Sequence, residues 1–222
     1  MKTLVFCLSM LLLLSCGSKM EEESIDFMEA QPAGSKNMDK FGKAYRGNYF
    51  NRYDSSFLEI TSDKVIRTYV LQFKESKYDM DTIYELGNCT DPERISKLSQ
   101  KGIFGRTEGD TIIGTYKEKD TIFTISDENV LRFYKSSYFL NYKRGQDRWK
   151  LQRLDLYKKT LSSSFILPND SLFYTAPVKE VKELKDDSGK VYNYQIKPTK
   201  KELKNLIKAK AFTEDEVWVK IK

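Results

Sequence analysis

The sequence predicts a mainly β, α+β protein: an antiparallel meander forming a barrel or sandwich, with two or three short helices. Two observations lead there. From residue 110 to 156, short runs that alternate apolar and polar side chains are separated by short polar links, as in strands joined by tight turns. Two segments, opening at Asp91-Pro92-Glu93 and at Thr199-Lys200-Lys201-Glu202, carry helix-start chemistry.

The elements follow in chain order. Lys2 is the sole charge before Lys19, and an apolar run from Leu4 to Leu14 is broken only by Ser9. A basic start, an apolar stretch and then small residues make a secretory signal over residues 1–15. The run falls short of the roughly 20 apolar residues of a spanning helix. Residues 16–40 have little periodicity and carry Pro32-Ala33-Gly34-Ser35, so they are expected to form a flexible tether. Residues 41–222 are expected to form a single β-rich domain ending in a helix and a last strand. In it, a short strand at 57–61 turns at Ser62-Asp63 into a longer one at 64–74, where Val65, Tyr69, Leu71 and Phe73 share one face. A helix opens at Asp91, buries Ile95 and Leu98 and stops at Gly102. Five strands follow, at 111–116, 121–126, 130–134, 137–142 and 149–156, with Lys117-Glu118-Lys119-Asp120 among the links. The apolar positions slip from odd (Trp149, Leu151) to even (Leu154, Leu156), which predicts a β-bulge near Gln152-Arg153. A hairpin turns at Asp186-Asp187-Ser188-Gly189 into 191–196. A helix near 200–210, with the stripe Leu203, Leu206 and Ile207, and a strand at 217–221 complete the chain.

The stretch Leu13-Leu14-Ser15-Cys16 resembles the lipobox of bacterial lipoproteins, with an apolar residue at −3, a small one at −1 and Cys directly after the apolar run. The resemblance covers the first sixteen residues. It implies a diacylglyceryl group on the Cys16 thiol, cleavage before Cys16 and acylation of the new amine. Each buried methylene contributes about 0.8 kcal/mol, so two or more chains hold firmly to a membrane. Gly17, rather than Asp, follows, which fits outer-membrane sorting. Glu21-Glu22-Glu23 resembles the surface-export signal of Bacteroidota lipoproteins; it also reads as a solvated charge run.

Composition removes several function classes. The chain has no histidine, which excludes Ser-His-Asp and Cys-His catalysis and His-containing zinc sites. No nucleophile elbow, Ser-x-x-Lys pair, phosphate loop or dinucleotide fingerprint occurs. Of three cysteines, Cys7 lies in the signal and Cys16 carries the lipid, so Cys89 has no disulfide partner within the chain and reads as an inert, buried thiol. The net charge is +6, but the charges are interspersed, and no nucleic-acid partner is expected. Asp79-Met80-Asp81 offers two carboxylates without the further ligands a cation needs and reads as a solvated turn.

One pattern recurs: Asp81-Thr82-Ile83, Asp110-Thr111-Ile112, Asp120-Thr121-Ile122 and Asp170-Ser171-Leu172. It resembles the O-glycosylation signal of exported Bacteroidota proteins, which makes Thr82, Thr111, Thr121 and Ser171 candidate acceptors. The competing reading is local: Asp suits a turn, Thr begins a strand and Ile is its first core position. Tyrosine-rich clusters at 45/49/53, 133–142 and 192/194 suit sugar faces or apolar ligands, but are read first as sheet packing. The lysines of the C-terminal helix are read as the solvated face of a docked helix.

The expected function is therefore a lipid-anchored outer-membrane protein of the cell envelope acting as a non-catalytic binding or assembly module. No catalytic residue, metal or cofactor is expected. Its partners would be the membrane, through Cys16, and an envelope protein, glycan or apolar ligand. Two alternatives stand beside it. One is a carrier of a small apolar ligand, since Tyr45-Arg46-Gly47-Asn48-Tyr49 resembles the start of lipocalin-like domains, although Tyr49 stands where that family has Trp. The other is a His-independent hydrolase using paired carboxylates.

Overall fold

A computed structural model describes residues 24–168 and 176–221. The expected signal segment, Cys16, the first part of the expected tether and Ser171 lie outside them. The chain is mainly β, and its strands form one sheet, antiparallel at every described pairing but one.

The first strands are β1 (Ser24–Phe27), β2 (Asn37–Met38), β3 (Gly47–Phe50), β4 (Phe57–Ile60) and β5 (Lys64–Ser76). Helices α1 (Lys77–Ile83) and α2 (Asp91–Gln100) follow, then β6 (Ile103–Glu108), β7 (Thr111–Thr124), β8 (Asn129–Tyr134) and β9 (Ser137–Gly145). After β10 (Arg148–Tyr157) and β11 (Thr160–Ile166) come β12 (Val181–Lys185), β13 (Val191–Ile196), α3 (Lys200–Lys208) and β14 (Phe212–Ile221).

The sheet runs β12-β13-β1-β10-β11-β14-β3-β4-β5-β7-β6, with β9, β8 and β2 branching from β10. It curls round an apolar centre without closing, because β7 and β8, although consecutive, do not pair. The result is sandwich-like. Strands β3, β4, β5 and β7 face β8, β9, β10 and β11 across a core that holds Tyr49, Leu58, Val65, Phe123, Leu140, Leu154 and Trp218. Phenols lace this core to the backbone. Tyr45 Oη donates to the Ser136 carbonyl at 2.6 Å and accepts from Leu156 N at 3.2 Å, and Tyr49 Oη donates to the Tyr45 carbonyl at 2.5 Å.

A second core lies on the opposite face of β9 and β10. Phe139 and Leu151 pack there with Ile25 and Phe27 of β1, Ile196 of β13, and Leu203 and Leu206 of α3. Thr199 and Glu202 close the predicted capping box of α3. A third, smaller core forms a wing, where α1 and α2 cover the far ends of β5 and β7 and the edge strand β6, burying Met80, Leu98, Ile103 and Ile112. Arg94, almost wholly buried, clamps the wing helices by donating to both carboxylate oxygens of Asp81 and to Asp91. Among the described residues no helix is long and apolar enough to cross a membrane.

Four sequence expectations are corrected. From Ser24 onward the expected tether is built into the fold, so the domain does not begin at residue 41. Strand β1 lies parallel to β13 and antiparallel to β10, and the Asn141 side chain binds both N–H and carbonyl of the buried Gln31. A four-residue strand is too short to show periodicity. Strands 111–116 and 121–126 are one strand, β7. Residues 117–120 pair with Val70 to Arg67 on one side only, and their exposure explains their polarity. No bulge occurs at 152–153: both faces of β10 are covered, odd positions by the second core and even ones by the first. Asp79-Met80-Asp81 lies in helix α1, which Ser76 caps through Asp79 N, rather than in a turn. Strand β11, whose Ser162-Ser163-Ser164 carries little hydrophobic signal, was not anticipated.

Candidate functional site

Toward one end of the main core the inward-facing positions change chemistry. Leu140 and Leu154 give way along the same faces of β9 and β10 to Tyr142, Gln152 and Lys150. Lys150 pairs across the sheet with Tyr142, and Tyr142 with Asn129. Opposite stand Arg67 of β5 and Ile122 of β7, with Phe165 of β11 and Asp215 and Glu216 of β14 closing the side. The cleft so formed holds about 490 Å³. A second depression of about 470 Å³ adjoins it, sharing Arg144, Lys150, Phe165 and Asp215, and reaches Asp26. Both volumes suit small molecules.

The backbone is shaped for this cleft. Ser163 pairs with Glu216 and Ser164 with Glu214, so Asp215 is an extra residue in β14. Arg148 pairs with Gly145 and Trp149 with Lys143, so Arg144 is extra in β9. Val65 pairs with Phe123 and Ile66 with Thr121, so Ile122 is extra in β7. A bulge re-aims side chains that strict alternation would send elsewhere. Each of these three bulged residues lines the same cleft.

Part of its charge is internally matched. Arg67 donates to Asp54 Oδ2 at 2.6 Å and pairs with Glu216 Oε1, and its guanidinium stacks 4.5 Å from the Tyr69 ring. Burial holds the Glu216 carboxyl above its ordinary range against the pull of Arg67. Asp54 lies below its usual range because hydrogen bonds from Ser56 and Arg67 outweigh the cost of burial. Tyr142 donates to Gln152 Oε1 at 2.7 Å, and burial raises its phenol so that it stays neutral. Lys150 has its ammonium 4.7 Å from the Phe165 ring centre and, among the described residues, no ion pair. Burial and the nearby Arg144 pull its pKa down, opposed by Asp215 and Asp26. Asp26 is itself held by Arg148 at 2.8 Å and by Asn193.

The candidate acceptors of the Asp-Ser/Thr pattern do not converge. Thr82 lies within α1, donating to the Tyr78 carbonyl at 2.8 Å, and does not begin a strand. Thr111 does begin β7, with Ile112 buried behind it as expected. Thr121 is exposed near the C-terminal end of β7, next to the bulged Ile122. Ser171 lies outside the described residues. Of the cleft residues, Tyr142 stands in one of the aromatic clusters and Ile122 in the recurring tripeptide, but the sequence does not single out the charged ones. Their signals are faint: Lys150 and Gln152 continue the inward register of Leu154 and Leu156 with polar side chains, and Glu214-Asp215-Glu216 interrupts a strand pattern.

A larger depression of about 760 Å³ lies on the uncovered face of the wing, against Phe104, Ile113 and Lys74. It is a shallow face of a three-stranded sheet, and its Arg106 pairs with Glu108 of its own strand, so it lacks the converging, unmatched charge of the cleft. Among the described residues no group of His, Cys, Asp and Glu could hold a metal ion. Comparison of the chain with protein-family models, with curated proteins and with solved structures finds no match.

Proposed function

We propose that this chain is a lipid-anchored cell-envelope protein that acts as a non-catalytic binding module and takes a small polar ligand in the cleft between the two halves of its sheet. The observation that carries the binding site is the convergence of the bulged residues Ile122, Arg144 and Asp215 on one cavity. The apolar-carrier alternative has less support. The main core is filled by its own side chains, including rings in contact such as Phe123 and Tyr142 at 5.2 Å, and the cavity above it is charged. The anchor rests on the lipobox-like Cys16 and on the export signal before it. O-glycosylation remains part of the proposal at Thr111 and Thr121, whose strand positions leave them at least partly accessible.

Native mass spectrometry of the full chain, released in mild detergent from its own membranes, tests the binding reading. A bound small molecule that is lost on Asp215→Asn or Arg144→Gln supports it; a bare lipoprotein mass counts against it. Incorporation of a labelled fatty acid, abolished by Cys16→Ser with release from the membrane fraction, tests the anchor. Unchanged fractionation of that variant would overturn it. The same spectrum reads any added sugar mass.

A second reading has one specific observation in its favour. Asp215 and Glu216 bring two carboxylates into one cleft, and burial raises one of them, as a histidine-free hydrolase would need. Glu216 is tied to Arg67, however, and the two carboxylates leave adjacent positions of one strand rather than facing each other across the cavity. Turnover of a glycoside by the wild type that Glu216→Gln abolishes would establish this reading over the first.

A further inference from the structure

The mouth of the sheet has matched and unmatched charges in one cleft. Arg67 of β5 pairs through one guanidinium nitrogen with Asp54 and with Glu216 of β14, and its buried Nε has no partner among the described residues. Arg144, Lys150 and Asp215 have no hydrogen bond or ion pair from their side chains among the described residues. They come from neighbouring strands in the order β9, β10, β11, β14, with the Phe165 ring of β11 between the two cations and the carboxylate. Adjacent strands lie about 4.8 Å apart, so the row spans roughly 14 Å of backbone, the length of a small polar molecule.

Lys150 is held where its charge is unfavourable, whereas Arg144 is exposed. Lys150 occupies an inward position of β10, half-buried against Phe165, with Arg144 beside it. Two like charges brought together repel, and an anion between them relieves that repulsion and offsets the partial desolvation of Lys150. The bulge that turns Arg144 toward this position would otherwise create repulsion without return. Arg144 also offers a planar fork of donors suited to carboxylate or phosphate. On the far side of the Phe165 ring, the bulged Asp215 offers an acceptor to hydroxyl or amine donors. A ring face flanked by such groups suits the apolar face of a sugar.

We propose that the cleft binds an acidic sugar, its anionic group held between Arg144 and Lys150, its ring on Phe165 and its hydroxyls on Asp215. This rests on the binding reading above and adds the ligand class. The anion is a carboxylate or a phosphate; both suit Arg144 and Lys150.

Titration calorimetry of the full chain in neutral detergent, with glucuronate, glucose 6-phosphate and glucose as probes, tests it. At least one charged sugar is expected to bind saturably and glucose about tenfold more weakly, or worse, with the stronger of the two charged sugars identifying the anion. Lys150→Gln and Arg144→Gln should each weaken the charged sugar about tenfold. Lys158→Gln, at an exposed turn, should leave it unchanged. Folding of each variant is checked by its thermal transition. Equal binding of glucose and both charged sugars, unaffected by Lys150→Gln, would overturn the anionic class while leaving a sugar-binding cleft. No binding of any probe would overturn the acidic-sugar proposal. The binding reading would still be judged separately, by the molecule that copurifies.

Discussion

Replacing Phe27 by Ala asks whether the segment before residue 41 is tether or fold. Phe27 is 1% exposed and belongs to the second core with Leu151, Ile196 and Leu203. Its strand lies between β13 and β10, so neither neighbour can close over a missing ring without breaking pairing. Truncation of a fully buried Phe costs about 3–5 kcal/mol, the lost transfer energy plus the cavity. For a chain of this size each kcal/mol lowers Tm by roughly 2–4 °C, so a fall of about 6–20 °C is expected. Urea and thermal unfolding of the detergent-solubilised full chain, followed by far-UV circular dichroism, read the change. Tyr53→Ala, at a side chain 93% exposed, serves as the control and should stay within about 0.5 kcal/mol of wild type. A Phe27→Ala protein within about 1 kcal/mol of wild type would refute the argument and return residues 24–40 to the role of a tether.

Further predictions test the packing and the titrating groups. Burial raises Tyr45 and Tyr49 to about 12 from 10.0, so the unfolded chain ionises first and stability should fall as pH climbs from 10 to 12. Tyr49→Phe should lose about 1 kcal/mol at neutral pH, through its bond to Tyr45, and show a smaller alkaline loss in urea midpoints. The Glu216 carboxyl is raised above 4.5, so the folded state binds the extra proton and its contribution to stability declines as pH rises through that value. The stability of wild type relative to Glu216→Gln should therefore drop as pH rises above about 4.5, and a flat difference would contradict the burial of that carboxyl. Gly105→Ala would set its Cβ 2.4 Å from the Ile113 carbonyl oxygen and 2.8 Å from Gly114 Cα, both backbone atoms that cannot turn aside. Amide exchange should quicken by the equivalent of about 1–3 kcal/mol in β6 and α2 while β10 keeps its protection; a uniform change would show that the wing is not a separate core.

Local chemistry was legible in the sequence because it depends on near neighbours. The capping residues Thr199 and Glu202, Pro92 at the start of α2, the turn at Asp186 to Gly189 and the alternation through β8 and β9 announced their elements, since each rests on hydrogen bonds or facing within a few residues. The mainly β class followed from them.

Tertiary structure decided what depends on which surface covers a strand. Trp149, Leu151, Leu154 and Leu156 looked like a slipped alternation, but their strand is sandwiched between two cores and needs apolar residues on both faces. Lys117 to Asp120 looked like a turn because this stretch of β7 is exposed on both faces and has no apolar side to display. The cleft was hidden for the same reason. Arg67, Arg144, Lys150 and Asp215 lie on different strands, and the bulges that aim Arg144 and Asp215 are differences in register between partners, which one strand's sequence does not contain. A lipobox-like motif at Cys16 can be read along a line; a cleft lined from seven strands exists only once the sheet has curled.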